Sequence, residues 1–349
     1  MNKGLGLVFL KESLNDISNN SVIPLGYKLW AFTHGFIPSN AWYKGINKKN
    51  CKEYLPDFSY YTHAPYNNPK SAQKINKMNY RSTFEKFKEY LPHYYYTLNH
   101  GYVEPIGKED CLSGGIERIL DLLIKEEKLA FKLIQGRAGR GFIEAGFTEG
   151  VYEFNGHTYS RDEAVKFLKS LDGYLVSEYI QQHTQYKEIW DKTTHTVRVQ
   201  TFMRNGHVVP VFSFIRIGSS LIMHSVSHSV DAGSYVGIID ITSGRTVKNM
   251  VTDSSGRPLI TKYHMETGAL LDIDVPHWKL IIKKCMEMHE TVPDLTWLGW
   301  DIIVTDDSFR LIEVNTFSAI NSLEFITPIK ANEYYMTLFS DLFREKMYW

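Results

Sequence analysis

The stretch "DIIVTDDSFRLIEVN", Asp301 to Asn315, decides how the rest of the chain is read. Two apolar runs flank a polar turn, which is the pattern of a β-hairpin. Asp301 and Glu313 stand at its outer ends, and Asn315 follows two residues later. With a three-residue turn, Asp306-Asp307-Ser308, Thr305 pairs with Phe309 and Asp301 falls directly opposite Glu313. Directly opposed residues of an antiparallel pair share a face, with Cβ atoms about 4.5–5.5 Å apart, and Asn315 lies on that face too. Like charges so placed repel unless a cation sits between them. Two carboxylates and an amide oxygen form a hard, all-oxygen donor set suited to Mg²⁺ carrying phosphates. A turn of two or four residues puts the carboxylates on opposite faces instead, and they then read as the solvated ends of a surface turn. On this stretch alone both readings stand.

The surrounding chain has 349 residues, room for two or three lobes with cores of their own. Basic and acidic side chains number 39 each, so the formal net charge is zero. A dedicated nucleic-acid or acidic-membrane binder needs a basic excess or stripe, so neither is expected. The 22 Tyr and 19 Phe speak for a packed rather than a disordered chain. Cys51, Cys111 and Cys285 are odd in number, far apart and in no CxxC spacing. Neither a disulfide framework nor a structural zinc site is expected, and a reducing cytoplasm fits. The opening "MNKGLGLVFLKES" has too short an apolar run for a signal peptide, and no apolar stretch is long enough to span a membrane.

Residues 1 to about 100 are rich in Tyr, Asn and Lys, and "THAPYNNPKSAQ" has the chemistry of a loop. "STFEKFKEYLPHYYYTL" reads as a helix, with Ser82 as N-cap, Glu85 completing a capping box and Pro92 ending it. "GGIERILDLLIKEEK" has apolar residues at helical spacing. From Lys128 the pattern changes. "LAFKLI" is a short strand, "QGRAGRGF" a Gly-rich turn, and "FTEGVYEFNGHTYS" a hairpin turning at Asn155-Gly156. After the helix "RDEAVKFLKSL" come the strand "GYLVSEYI" and a second hairpin, turning at Asn205-Gly206. The helix "VPHWKLIIKKCMEMHETV" precedes the hairpin quoted above. Mixed helices and hairpins predict an α+β fold with antiparallel sheets rather than a doubly wound one.

Several constellations could carry chemistry. Gly136, Gly139 and Gly141 alternate with Arg137 and Arg140. Glycines let backbone N–H groups approach phosphate oxygens and arginines add charge, although an ordinary hairpin turn has the same composition. Lys132 lies inside the apolar strand just before, so it either snorkels or has an anionic partner. "TTHTVRVQTF" places Thr194, Thr196, Arg198 and Gln200 on one face and His195, Val197 and Val199 on the other. Arg216 stands in the neighbouring strand "PVFSFIRIG". No HExxH appears, and the His224/His228 pair lies in a Ser-rich stretch without helical character. The GxSxG motif of a Ser hydrolase is absent. "TDDS" could be the acidic metal motif of a glycosyltransferase, but it falls at a hairpin tip.

In chain order, Lys132, the Gly-rich turn, "LVSEYI", Arg198, Arg216, Asp301 and Glu313-x-Asn315 resemble the ATP-grasp superfamily. More narrowly, "HTVRVQTF", "IIDITSGR", "HMETG", "VPHW" and "LGWDIIVTDDSFRLIEVN" resemble the sugar-transfer-associated ATP-grasp proteins of bacterial capsule and exopolysaccharide gene clusters, over roughly residues 70–330. The resemblance implies two α+β lobes clasping ATP after a smaller N-terminal α/β region. The divisions would be 1–105, 106–181 with the Gly-rich flap, and 182–349 with the Mg²⁺ site. It implies that Lys132 contacts the α- and β-phosphates and that the turn from Gly136 to Gly141 closes over them. Glu178, Tyr179 and Ile180 would form the adenine hinge, with Gln182 or His183 near the ribose. Asp301, Glu313 and Asn315 would hold Mg²⁺, and Arg198 and Arg216 would meet the γ-phosphate and acyl-phosphate oxygens. Lys77 matches the Lys of the family's Asp-Lys segment.

The sequence departs from the family pattern at Asn76, His195, His228, Ala232-Gly233 and Met265. By the resemblance, these positions fall where an acceptor would sit. The activity implied is that of a cytoplasmic ATP-dependent carboxylate–amine ligase acting through an acyl phosphate on small molecules, with a sugar acid or amino acid among the substrates. A kinase that stops at phosphoryl transfer and a non-catalytic nucleotide-binding partner are the alternatives.

Overall fold

The computed structural model describes residues 3–20, 22–63, 67–107, 115–136, 141–220, 235–252, 258–318, 323–324 and 328–338. Among these, the named strands form two antiparallel seven-stranded sheets. The first contains β1 (Tyr94–Asn99), β2 (Tyr102–Pro105), β3 (Lys128–Leu133), β4 (Ile143–Thr148), β5 (Val151–Phe154), β6 (His157–Tyr159) and β7 (Tyr174–Glu178), in the order β2-β1-β7-β3-β4-β5-β6. The second contains β8 (Thr196–Arg204), β9 (His207–Ile217), β10 (Tyr235–Ile239), β11 (Thr246–Thr252), β12 (Pro258–Ile260), β13 (Trp297–Val304) and β14 (Phe309–Asn315), in the order β12-β11-β10-β9-β8-β13-β14.

The apolar spacing of the helices explains how the sheets are covered. Ile119, Leu120 and Leu123 of the helix Glu117–Glu126, and Ala164 and Leu168 of the helix Arg161–Ser170, pack on Leu129, Phe131 and Val176 of the first sheet. Ser160 and Glu163 close a capping box at the start of the second of these helices. The helix Trp278–Glu290 buries Ile281, Cys285 and Met288 against one face of the second sheet, where Val197, Val199, Trp300 and Ile302 point. On the opposite face Phe212 and Phe214 are covered by Leu55, Tyr60, Leu323 and Ile329. The residues paired with these two phenylalanines, Gln200 and Arg198, share that face and lead toward the hairpin carboxylates.

The Asn155-Gly156 and Asn205-Gly206 turns have positive φ at both residues, the geometry a two-residue hairpin needs. Glu149-Gly150 adopts it too and joins β4 to β5. Three expectations change. The helix expected from Ser82 is instead one helical turn, Tyr80–Thr83, and a 3₁₀ stretch, Glu85–Tyr90, broken at Phe84. Ser82 Oγ donates back to the Asn79 carbonyl at 3.0 Å and caps nothing. Phe84 is pulled out of helical geometry while its ring packs edge-on against Trp300. The loop-like "THAPYNNPKSAQ" contains a short helix, Pro69–Lys74, with proline in its first turn and the Asn68 side chain accepting from the Lys70 N–H at 3.0 Å. Finally, β1 and β2, assigned from sequence to the N-terminal region, are hydrogen-bonded into the first sheet through β7.

The hairpin at Asp301–Asn315 is built differently from the simple register. Val304 pairs with Phe309, Ile303 with Arg310 and Ile302 with Leu311. The turn therefore has four residues, 305–308, not three. A four-residue turn with a regular ladder would send Glu313 to the other face. The register shifts after Ile302, Ile312 is left as a bulge, and Asp301 again meets Glu313. The longer turn is held by its own side chains. Ser308 N–H donates to Thr305 Oγ1 at 3.1 Å, and Thr305 Oγ1 donates to Asp307 at 2.7 Å.

Candidate active site

Asp301 lies opposite Arg198 on β8 on one side and Glu313 on β14 on the other. Arg216 enters from β9, where it pairs with Thr196. Arg198 donates to both Asp301 oxygens, from Nε and from Nη2 (2.6 Å to Oδ2). Arg216 Nη1 lies 3.6 Å from Oδ1, and Asn315 Nδ2 donates to Oδ2 at 3.0 Å. Burial pushes the Asp301 carboxyl up, but the charges of Arg198 and Arg216 and the hydrogen bonds from Arg198 and Asn315 hold it below the usual carboxylate range. Glu313 moves the other way. Burial and then the neighbouring Asp301 charge raise it, against the pull of Lys77, Arg198 and Lys132. Burial and the adjacent Arg198 lower Arg216 to about 10. Its Nε and the Thr196 hydroxyl are buried without hydrogen-bond partners among the described residues.

The fit of a divalent cation can be judged from this donor set. The Asp301 and Glu313 carboxylates face one another, and Glu313 makes no hydrogen bond or ion pair among the described residues. A hard cation between them would relieve their repulsion and accept the Asn315 amide oxygen after a side-chain flip. The residues therefore fit Mg²⁺. Among the described residues no group of three His, Cys, Asp or Glu side chains is placed to hold a metal, so a site here depends on the amide. The His224/His228 pair lies outside the described residues.

Between the two sheets a cleft of about 320 Å³ is lined by Lys77, Lys132, Glu144, Thr194, Ile303 and Glu313, among others. Lys132 projects from β3, half-buried, and burial, with Lys77 nearby, lowers it to about 8. Burial also lowers Lys77, with Glu313 opposing. Lys77 Nζ donates to the Leu133 and Gly136 carbonyls at 3.1 and 2.7 Å, at the root of the Gly-rich turn. Gly141 has φ +70, and a Cβ there would come within 2.5 Å of the Leu133 side chain. Arg137, Gly139 and Arg140 lie outside the described residues.

The hinge positions follow β7. Glu178 exchanges bonds with His93: its N–H donates to the His93 carbonyl, and its carboxylate accepts from the His93 N–H, both at 2.9 Å. The Tyr179 hydroxyl donates to Glu144 at 3.2 Å, and Ile180 is buried. Gln182 is buried too. Its Nε2 donates to the Trp190 and Thr193 carbonyls, and its Oε1 accepts from the His195 N–H at 2.7 Å. That amide holds the loop before β8, so a sugar hydroxyl would compete with protein partners for it. His183 donates its N–H to the Val304 carbonyl, and its Nδ1 accepts from the Gln185 N–H. His195 faces the core with both ring nitrogens unpartnered among the described residues, and burial lowers it to about 3. The "TDDS" carboxylates are locally engaged: Asp306 accepts from the Thr184 N–H (2.7 Å) and hydroxyl (3.0 Å), and Asp307 from Thr305.

Four residues beside the site had no signal in the sequence. Ser318 Oγ accepts from Arg198 and Gln200, in space left by Gly299, where a Cβ would lie 2.5 Å from that oxygen. Tyr80 and Asn67 bond to the backbone of the hairpin, and Glu144 to Lys128 and Tyr179. Each is far in sequence from what it touches, so no local spacing could mark it.

Two antiparallel sheets with a lysine strand on one and an arginine–carboxylate hairpin on the other define an ATP-grasp protein. The chain belongs to the sugar-transfer associated ATP-grasp family, whose model matches residues 59–326. A search of curated proteins found no match. Among solved structures, an L-amino acid ligase from Bacillus licheniformis is 9% identical with a TM-score of 0.41, covering 77% of this chain and 47% of its own. A D-alanine–D-alanine ligase from Bacillus anthracis is 11% identical with a TM-score of 0.41, covering 99% and 92%. A biotin carboxylase–β,γ-ATP complex from Campylobacter jejuni is 12% identical with a TM-score of 0.42, covering 78% and 47%. This chain thus spans just under half the length of the first and third.

Proposed function

We propose that the protein is an ATP-dependent carboxylate–amine ligase. The observation that carries the proposal is the register of Asp301 with Glu313 beside Arg198, Arg216, Lys77 and Lys132. Four basic side chains around two carboxylates suit a polyphosphate with its metal. A carboxylate is a poor electrophile at neutral pH. Transfer of the γ-phosphoryl group of ATP to it makes an acyl phosphate, which a neutral amine attacks to leave an amide and phosphate. Arg198 and Arg216 would offset charge on the transferring group from fixed positions that need no reorganisation. Lys132, and Lys77 if it leaves its carbonyls, would hold the other phosphates. Asp301, Glu313 and Asn315 would hold Mg²⁺, which would supply positive charge to offset that of the phosphates. The turn from Gly136 to Gly141 would keep water from the acyl phosphate.

In this reading residues 106–181, with β1 and β2 joined to their sheet, are the lobe that closes over the nucleotide and 182–349 the lobe that holds the metal, with the rest of 1–105 preceding them. The family's association with sugar transfer supports a sugar acid or an amino acid as substrate, in the cytoplasmic steps of capsule or related polysaccharide synthesis. Phosphate release from ATP in the presence of candidate acid–amine pairs tests the proposal. The Asp301→Ala/Glu313→Ala variant is expected to abolish release; undiminished turnover in that variant would remove the metal assignment. Phosphorus NMR of the products separates a ligase, which leaves free phosphate, from a kinase, which leaves a phosphorylated acceptor.

A further inference from the structure

β14 lies at the edge of its sheet, so alternate residues point their backbone N–H and C=O away from β13, where no strand among the described residues receives them. Val314 is such a residue, and it stands between Glu313 and Asn315. Its N–H donates to the Tyr80 hydroxyl at 3.0 Å, and its carbonyl accepts from the same hydroxyl at 3.3 Å. One buried phenol thus replaces a neighbouring strand at the residue flanked by both ligand candidates. Reinforcement matters here because the Ile312 bulge interrupts the ladder just before Glu313, and the strand ends at Asn315.

The rest of the segment braces the same hairpin. Phe84, four residues beyond Tyr80, sets its ring against Trp300, the β13 partner of Val314, with centroids 5.7 Å apart. Asn67 accepts from the Thr296 and Trp297 N–H groups at 2.7 and 2.9 Å and donates to the Trp297 and Thr316 carbonyls at 2.7 and 2.6 Å. Lys77, between them in sequence, ties the same segment to the end of β3.

We infer that Tyr80 is a positioning residue, whose hydroxyl fixes the edge of β14 so that Glu313 and Asn315 stand in register with Asp301 before a metal arrives. The inference rests on the reading of those three residues as Mg²⁺ ligands. The affinity of a non-hydrolysable ATP analogue, measured by calorimetry with Mg²⁺ and with EDTA, gives the metal's contribution as a ratio. Tyr80→Phe keeps the ring and removes the hydroxyl. The expected result is a ratio three- to tenfold smaller than wild type, an EDTA affinity within twofold of wild type, and faster amide exchange confined to peptides covering 309–318. An unchanged ratio in Tyr80→Phe, with the ratio collapsing in Glu313→Gln, overturns the inference and leaves the ligand reading standing. A ratio unaffected by Glu313→Gln overturns the ligand reading and the inference with it. Should Tyr80→Phe fail to fold, the Val314 amide of the metal-free wild type decides. Protection equal to that of β13 supports the inference, and exchange at loop rates overturns it.

Discussion

Lys132 shows how one residue can carry two opposed demands. A phosphate contact needs its charge, while the apolar strand around it disfavours that charge and brings it to about 8. A lysine depressed in this way is charged below that pH and neutral above it. Attraction for the nucleotide should therefore be complete below about pH 8 and weaken as pH rises through it. Folding responds with the opposite sign: between about 8 and 10.5 the unfolded chain holds more protons, so stability rises with pH across that window. The expected outcome is a fall in kcat/KM for ATP above about pH 8, measured against pH. Lys132→Arg should remove that limb, because a guanidinium stays charged. His195 supplies no second limb at neutral pH, because burial keeps its ring neutral there.

At the scale of the element, the site depends on a compensation inside one hairpin. A turn one residue longer than the simple register allows is matched by one bulged residue, and the two shifts cancel at Asp301 and Glu313. Ile312 lines the cleft between the two sheets from the bulge. Deleting it leaves Ile302 opposite Leu311 and Asp301 opposite Glu313 in a regular ladder. The deletion variant is therefore expected to keep Mg²⁺-dependent nucleotide binding and to raise the KM for ATP several-fold through the lost apolar contact. Loss of the metal dependence with the fold intact would show that the bulge itself aims Glu313.

Across the whole molecule, the N-terminal helical region is joined to the end of the chain by charge as well as by apolar packing. Lys44 and Glu324 pair at 3.1 Å with side chains 2% and 0% exposed, and Glu324 also accepts from the Leu55 N–H. Removing one member of a buried pair strands the other and costs about 3–5 kcal/mol, whereas replacing both with apolar groups can be nearly neutral. Lys44→Met should lower the unfolding free energy by about that amount in a denaturant titration. Lys44→Met with Glu324→Leu should recover most of the loss. Equal losses in the single and double variants would mean that the pair is not buried in solution.

The strands β3 to β9, β13 and β14, the helices Arg161–Ser170 and Trp278–Glu290 and both Asn-Gly turns were legible because each follows from local spacing: period two, period three to four, and positive φ at the turns. That Lys132, Arg198, Arg216, Asp301, Glu313 and Asn315 belong together was legible because their order along the chain matches a family pattern. The Ser82 helix was not, since the demand of Trp300 for the Phe84 ring arises from a strand more than two hundred residues away. The same holds for the turn length, which draws on Asp306 capping Thr184 as much as on its own residues. By itself, then, the sequence determined most of the strands and helices from Lys128 onward and which charged side chains accompany them, since these depend on neighbours along the chain. Tertiary structure alone decided that a bulge restores Asp301 to Glu313, that Arg198 takes both Asp301 oxygens and that Tyr80 secures the edge strand. Each of these depends on where distant backbone groups are left without partners.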